Sequence, residues 1–189
     1  MDSLRCPAAH EESWLVVMVH DAVDATLLRA DLACPVCGAE YEVRDGLAQF
    51  VAAAEPASTQ ASARIMHDLD LSRLAALLGM TESTQSALLI GAHDATGVQQ
   101  ASMQIGERLP LGAGTIAAAA LDEAHATPTY LAEAVRVVRQ GGRIVAPATA
   151  PLPDGVRELA RDETEWVAEV TARASGLIEL RRRAPEIID

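Results

Sequence analysis

Thr127-Pro-Thr-Tyr-Leu-Ala-Glu-Ala-Val-Arg-Val-Val-Arg-Gln-Gly-Gly-Arg-Ile-Val-Ala146 is the stretch on which the reading of the fold turns. Thr127 offers a side-chain oxygen to cap a helix, and Pro128 suits the first helical position because its missing N–H would be orphaned there anyway. Tyr130, Leu131, Ala134, Val135 and Val138 then recur on one helical face up to Gly141-Gly142, which reads as the stop. Arg143-Ile-Val-Ala146 follows as a short apolar strand, closed by Pro147, Pro151 and Pro153. A helix delivered by a glycine cap into a strand is half of a strand–helix–strand crossover.

Working outward, Gly114 to Leu121 is a weak apolar run in which alanine favours helix and the position between loops favours strand. Ser86 to Gly91 reads as a buried strand. Ile65, Leu69, Leu74, Leu77 and Leu78 recur at helical spacing, which predicts an amphipathic helix over residues 63–79. Downstream, Val156–Arg161 and Leu177–Arg183 look like strands, with a short helix or strand around Trp166 between them. Repeated alternation of this kind predicts an α/β fold with a mostly parallel sheet and helices on its faces.

The chain changes character over residues 52–63, a proline-containing run without large apolar side chains that reads as a linker. It divides a small module at 1–51 from an α/β domain at 64–189. In the small module Trp14–His20 and Ala25–Leu32 read as paired strands. The knuckle Ala33-Cys-Pro-Val-Cys-Gly38 and the alternating Tyr41-Glu-Val-Arg before Asp45-Gly46 complete a meander.

Half of the residues are hydrophobic but only 3% are aromatic, so the core must be built from Ala, Val, Leu and Ile. The formal net charge is −12, and every positive side chain is an arginine. Such a chain repels phosphate backbones, so direct nucleic-acid binding is not expected, and Arg181-Arg182-Arg183 reads as a solvated strand end. No apolar stretch is long enough to span a membrane and the N-terminus lacks the marks of a signal peptide, which points to a cytoplasmic protein.

Three cysteines, two of them in Cys34-x2-Cys37, suit a metal site in a reducing compartment better than a disulfide framework. Zn²⁺ takes four tetrahedral ligands from thiolate and imidazole, and a Cys-x2-Cys turn supplies two of them. Cys6 and His10, in Cys-Pro-Ala-Ala-His, would supply the other two, with His20 as the rival fourth ligand. Two further polar groups stand after strands: His93 with Asp94, and Asp122, Glu123 and His125. Each reads first as loop and capping chemistry, and no catalytic residue is assigned.

Two resemblances follow from these motifs. Cys6-Pro7, the second cysteine cluster, Tyr41-Glu-Val-Arg-Asp-Gly46 and Phe50 resemble the short zinc-ribbon family whose members activate methyltransferases by pairing with them. The chain departs from that pattern with Cys-x3-His at the first knuckle. The resemblance implies a structural zinc and a role in interaction rather than chemistry. Arg108-Leu-Pro-Leu-Gly-Ala-Gly-Thr-Ile116 together with Tyr130–Val145 is similar to the second half of class I S-adenosylmethionine-dependent methyltransferases, and implies a shortened Rossmann-like fold. In that family a glycine-rich loop after the first strand receives the cofactor. Here Leu88-Leu-Ile-Gly-Ala-His-Asp-Ala95 keeps only Gly91, with Leu89, His93 and Ala95 in place of the expected acidic and glycine residues. From Gly91 to Leu109 there is too little chain for the usual intervening elements.

S-adenosylmethionine binding is therefore not expected. The expected function is a non-catalytic accessory or scaffolding protein, a pseudoenzyme-like domain with a zinc ribbon, whose partner is another protein: a methyltransferase or a second copy of itself. The alternatives are an active S-adenosylmethionine-dependent methyltransferase with an atypical or partner-completed pocket, and a protein in which the ribbon alone recruits a methyltransferase.

Overall fold

The computed structural model describes residues 4–23, 26–51, 60–70, 73–81 and 85–171. The run Ala87-Leu88-Leu89-Ile90 explains the core: Leu88 and Ile90 join one apolar cluster while Ala87 and Leu89 join another, so this strand is covered on both faces. Ala118 to Leu121 alternates between the two clusters in the same way.

The elements are β1 (Val16–Val23), β2 (Thr26–Ala33), β3 (Glu40–Arg44), β4 (Leu47–Gln49), β5 (Ala61–His67), α1 (Arg73–Leu78), β6 (Ser86–Ile90), β7 (Val98–Ile105), β8 (Ile116–Leu121), α2 (Pro128–Val137), β9 (Val138–Pro147), β10 (Val156–Arg161) and β11 (Glu165–Val170). The eleven strands of the described residues join one sheet in the order β1-β2-β3-β4-β7-β5-β6-β8-β9-β11-β10. Only β4–β7, β6–β8 and β8–β9 are parallel; the other neighbours run antiparallel. Helix α2 packs on the larger cluster through Tyr130, Leu131, Ala134 and Val137, and α1 on the smaller one through Ala75 and Leu78. Trp166 is fully buried and its indole N–H donates to Ala150 O at 3.1 Å.

This overturns the expected shortened Rossmann-like methyltransferase fold. The β8–α2–β9 crossover exists, but it is embedded in a mixed, mostly antiparallel sheet with two helices among the described residues. Residues 63–79 do not form one helix. Ala61, Ala63 and Ile65 are buried while Ser62 is exposed, the period of a strand, and the described helix covers only Arg73–Leu78. The stretch from Gly91 to Leu109 holds β7, which pairs with β4 on one side and β5 on the other. Through that pairing the meander of 16–49 and the strands beyond residue 60 share one sheet, and Leu32, Phe50, Ile105 and Leu111 share one cluster. Leu177–Arg183 and residues 52–59 of the expected linker lie outside the described residues.

Helix α2 starts as read, with Thr127 Oγ1 accepting from Tyr130 N–H at 3.4 Å, but stops at Val137, four residues before Gly141. The glycine pair serves the strand instead. Gly142 passes so close to β8 that any side chain would strike Ala117 O, beside a register shift between Ile116 and Ala118. Replacing Thr127 with alanine should lower stability by about 1 kcal/mol, read as a shift in urea midpoint without a change in slope.

Candidate metal centre

Two backbone loops far apart in sequence bring four donors together. In the second loop Gly38 N–H donates to Cys34 O at 2.9 Å and Cys34 N–H to Ala39 O at 2.8 Å. Gly38 closes the turn at φ +71°, a conformation that L side chains rarely adopt. In the first loop Cys6 N–H donates to Ser13 O at 3.0 Å, and the Arg108 guanidinium holds Ala8 O at 2.9 Å from across the chain. The loop is anchored further by the bridges Leu4–Leu111 and Arg5–Trp14 and by the Arg5 guanidinium over the Trp14 ring.

The ligating atoms of Cys6, His10, Cys34 and Cys37 all lie within 4.8 Å of one another, close enough to hold one metal ion. Cys6 Sγ and Cys37 Sγ are 3.7 Å apart, and Cys34 Sγ is 3.4 Å from His10 Nε2. Two thiolates about 2.3 Å from one tetrahedral zinc would be separated by about 3.8 Å, so the spacing fits that geometry and not a disulfide.

The histidine is prepared for the role. His10 Nδ1 lies 2.5 Å from Glu11 O, and since a carbonyl only accepts, Nδ1 carries the proton and Nε2 presents its lone pair to the thiols. His20 stands elsewhere: its Nε2 is 2.7 Å from Asp31 Oδ2, an exposed pair between β1 and β2. Tyr41 was not anticipated here. Its hydroxyl lies 3.5 Å from Cys6 Sγ while its ring packs 5.1 Å from that of Phe50. An aromatic residue seven positions after Cys34 carries no spacing rule that would have announced this contact.

Burial alone pushes the Cys34 thiol up, but the backbone N–H groups of Cys37 and Val36 and the thiols of Cys37 and Cys6 bring it down to about 6. At neutral pH it is mostly thiolate, the form that binds metal. Burial, with the neighbouring Cys6 sulfur, pushes the Tyr41 hydroxyl well up, so it stays a donor.

The other polar groups form a clasp at the ends of β6 and β8. Asp122 accepts from Ala92 N–H at 2.7 Å, from His125 N–H at 3.0 Å and from the His125 ring at 2.6 Å. Gly91, the expected trace of a cofactor loop, donates to Ser62 O and turns at φ +85°, with the Asp122 carboxylate filling the place of its missing side chain. His93 lies under the same loop with Nε2 3.0 Å from Ile90 O, while Asp94 and Glu123 take no part in the clasp.

Burial pushes the Asp122 carboxyl up, yet the donors from Ala92 and His125 hold it below its ordinary 3.8. The stability it contributes is therefore complete above that value and lost as pH falls through the lower folded-state value. Burial lowers the His93 imidazole, which adds an earlier loss as pH drops below its ordinary 6.5. Asp122→Asn should remove the lower of these two steps and deepen the upper, because the Asp122 charge holds the His93 imidazole up against its burial, as read by urea midpoints from about pH 7 to pH 2.

Among the described residues no helix is long and apolar enough to cross a membrane. In comparisons with known proteins, no family model, no curated protein and no solved structure matches this chain.

Proposed function

We propose that this chain is a non-catalytic accessory protein that binds one structural zinc ion through Cys6, His10, Cys34 and Cys37 and acts through contacts with another protein. The carrying observation is the convergence of these four donors from two loops 24 residues or more apart, with His10 in the tautomer that offers Nε2. Four protein ligands close a zinc site, and a closed site stabilises structure rather than activating water. Its resemblance to activating zinc ribbons names methyltransferases as one class of partner. A site built on three thiols also suits a reducing compartment such as the cytoplasm.

Metal analysis tests the first half of this reading: purified protein should carry about one zinc per chain, and His10→Ala should bind it at least tenfold more weakly, whereas His20→Ala should not. Loss of metal on His20→Ala but not on His10→Ala would refute the assignment. Calorimetry with S-adenosylmethionine tests the second half, since saturable micromolar binding would reject a non-catalytic role.

A further inference from the structure

The two edges of the sheet are built differently. On β10 every residue after Val156 is exposed, but Arg157, Glu158 and Arg161 form ion pairs and a register shift falls between Glu158 and Ala160. Charges and a bulge on an edge strand discourage pairing with another chain. At the opposite edge β1 is exposed over all eight residues and, among the described residues, pairs only with β2. Its first four side chains are apolar where those of β10 are charged: Val16 and Met18 are each 60% exposed on one face and Val17 and Val19 lie on the other, and the register shifts of β1 come only after them, around His20 and Asp21.

The two faces of β1 lead to different surroundings. Val17 and Val19 stand opposite Leu32 and Ala30, both buried, so that face continues the core. Val16 and Met18 stand opposite Ala33 and Asp31, which in turn stand opposite Glu40 and Glu42. These residues floor an open groove of about 1120 Å³ that runs beside the metal loops to Glu107 and Arg108. Asp31 is engaged by His20 and Glu42 by Arg44, while Glu40 and Glu107 are exposed and have no ion pair among the described residues.

We infer that the free edge of β1 and this groove together dock one extended segment of a partner protein, whose side chains alternate between basic residues over the groove and β-branched apolar residues over Val17 and Val19. Such a segment adds a twelfth strand: its backbone bonds to β1, and its alternate side chains meet an acidic surface on one side and an apolar one on the other. Charge selects this occupant over a second copy, because two chains of net charge −12 repel and the one basic side chain of β1, His20, is already held by Asp31. The inference rests on the accessory-protein reading and names the chemistry of the partner.

The probe is a fluorescent eight-residue peptide alternating arginine and valine, titrated by anisotropy into zinc-loaded full-length protein. Saturable micromolar binding is expected. It should weaken at least tenfold with Glu40→Lys/Glu107→Lys, exposed substitutions distant from the core, and at least tenfold when alternate peptide nitrogens are methylated on the pairing edge. No binding at millimolar peptide, or binding that ignores both changes, overturns the inference. So does a dimer in sedimentation that the peptide fails to dissociate, since a second copy would then hold the edge. The same titration on zinc-free protein separates the two readings. Failure of the peptide with a zinc-dependent fold removes only the docking inference, whereas equal binding and equal stability without zinc removes the structural-metal reading and leaves the edge intact.

Discussion

Cys34→Ser should lower the melting temperature by about 10 °C or more, and Cys37→Ser should do nearly the same although the two thiols are packed very differently. Cys34 is buried at 2% exposure and Cys37 is exposed. If packing set the cost, the buried position would lose far more, because an exposed thiol surrenders little contact on substitution. If the metal sets it, either change removes one of four ligands and the costs converge. Zinc binding couples to folding by roughly 10 kcal/mol in small domains, and losing about a third of that exceeds most single substitutions. In a chain of this length each kcal/mol moves the midpoint by about 2–4 °C. Differential scanning calorimetry of the two variants and of wild type with a chelator should give three similar midpoints, and chelator should shift neither variant much further. A Cys34→Ser midpoint far below that of chelated wild type would assign the residue to packing instead.

The candidate metal cluster was legible because its chemistry is local: Cys34-x2-Cys37 is a turn, Gly38 supplies its positive φ, and Cys6-Pro-Ala-Ala-His10 is a second turn. Helix α2 was legible at its start for the same reason, since Thr127 and Pro128 act on their immediate neighbours. The sheet was not, because strand order is set by contacts between distant residues. Residues 61–67 contain small alanines whose burial is invisible to a hydrophobic count, and the polar Gln99 and Gln100 give no strand signal in β7, which is defined by β5 lying alongside. Gly141-Gly142 misled in a more instructive way. Glycine after an apolar helical face has two physical uses, helix termination and close approach between backbones, and only the position of Ala117 O decides for the second.

The same ambiguity gives the second large effect. Gly91→Ala should destabilise the protein by about 3–5 kcal/mol, whereas Gly141→Ala should cost only about 1 kcal/mol. Both glycines sit at positive φ, +85° and +76°, so both substitutions carry the strain of an L residue there. They differ in what a side chain meets. A carbon added at Gly141 would meet nothing within 4 Å beyond its own chain neighbours, while at Gly91 the new carbon would overlap the Asp122 carboxylate. That carboxylate cannot move without releasing Ala92 N–H and both donors of His125. Each donor left without a partner costs about 1–3 kcal/mol to the extent that it is out of reach of water. Denaturant unfolding of the two variants isolates the clash as their difference. A double-mutant cycle then fixes its source: with Asp122→Ala already present, Gly91→Ala should fall to the cost of backbone strain alone. Equal costs for Gly91→Ala and Gly141→Ala in the wild-type background would mean that the clasp yields freely and contributes little to holding the ends of β6 and β8 together.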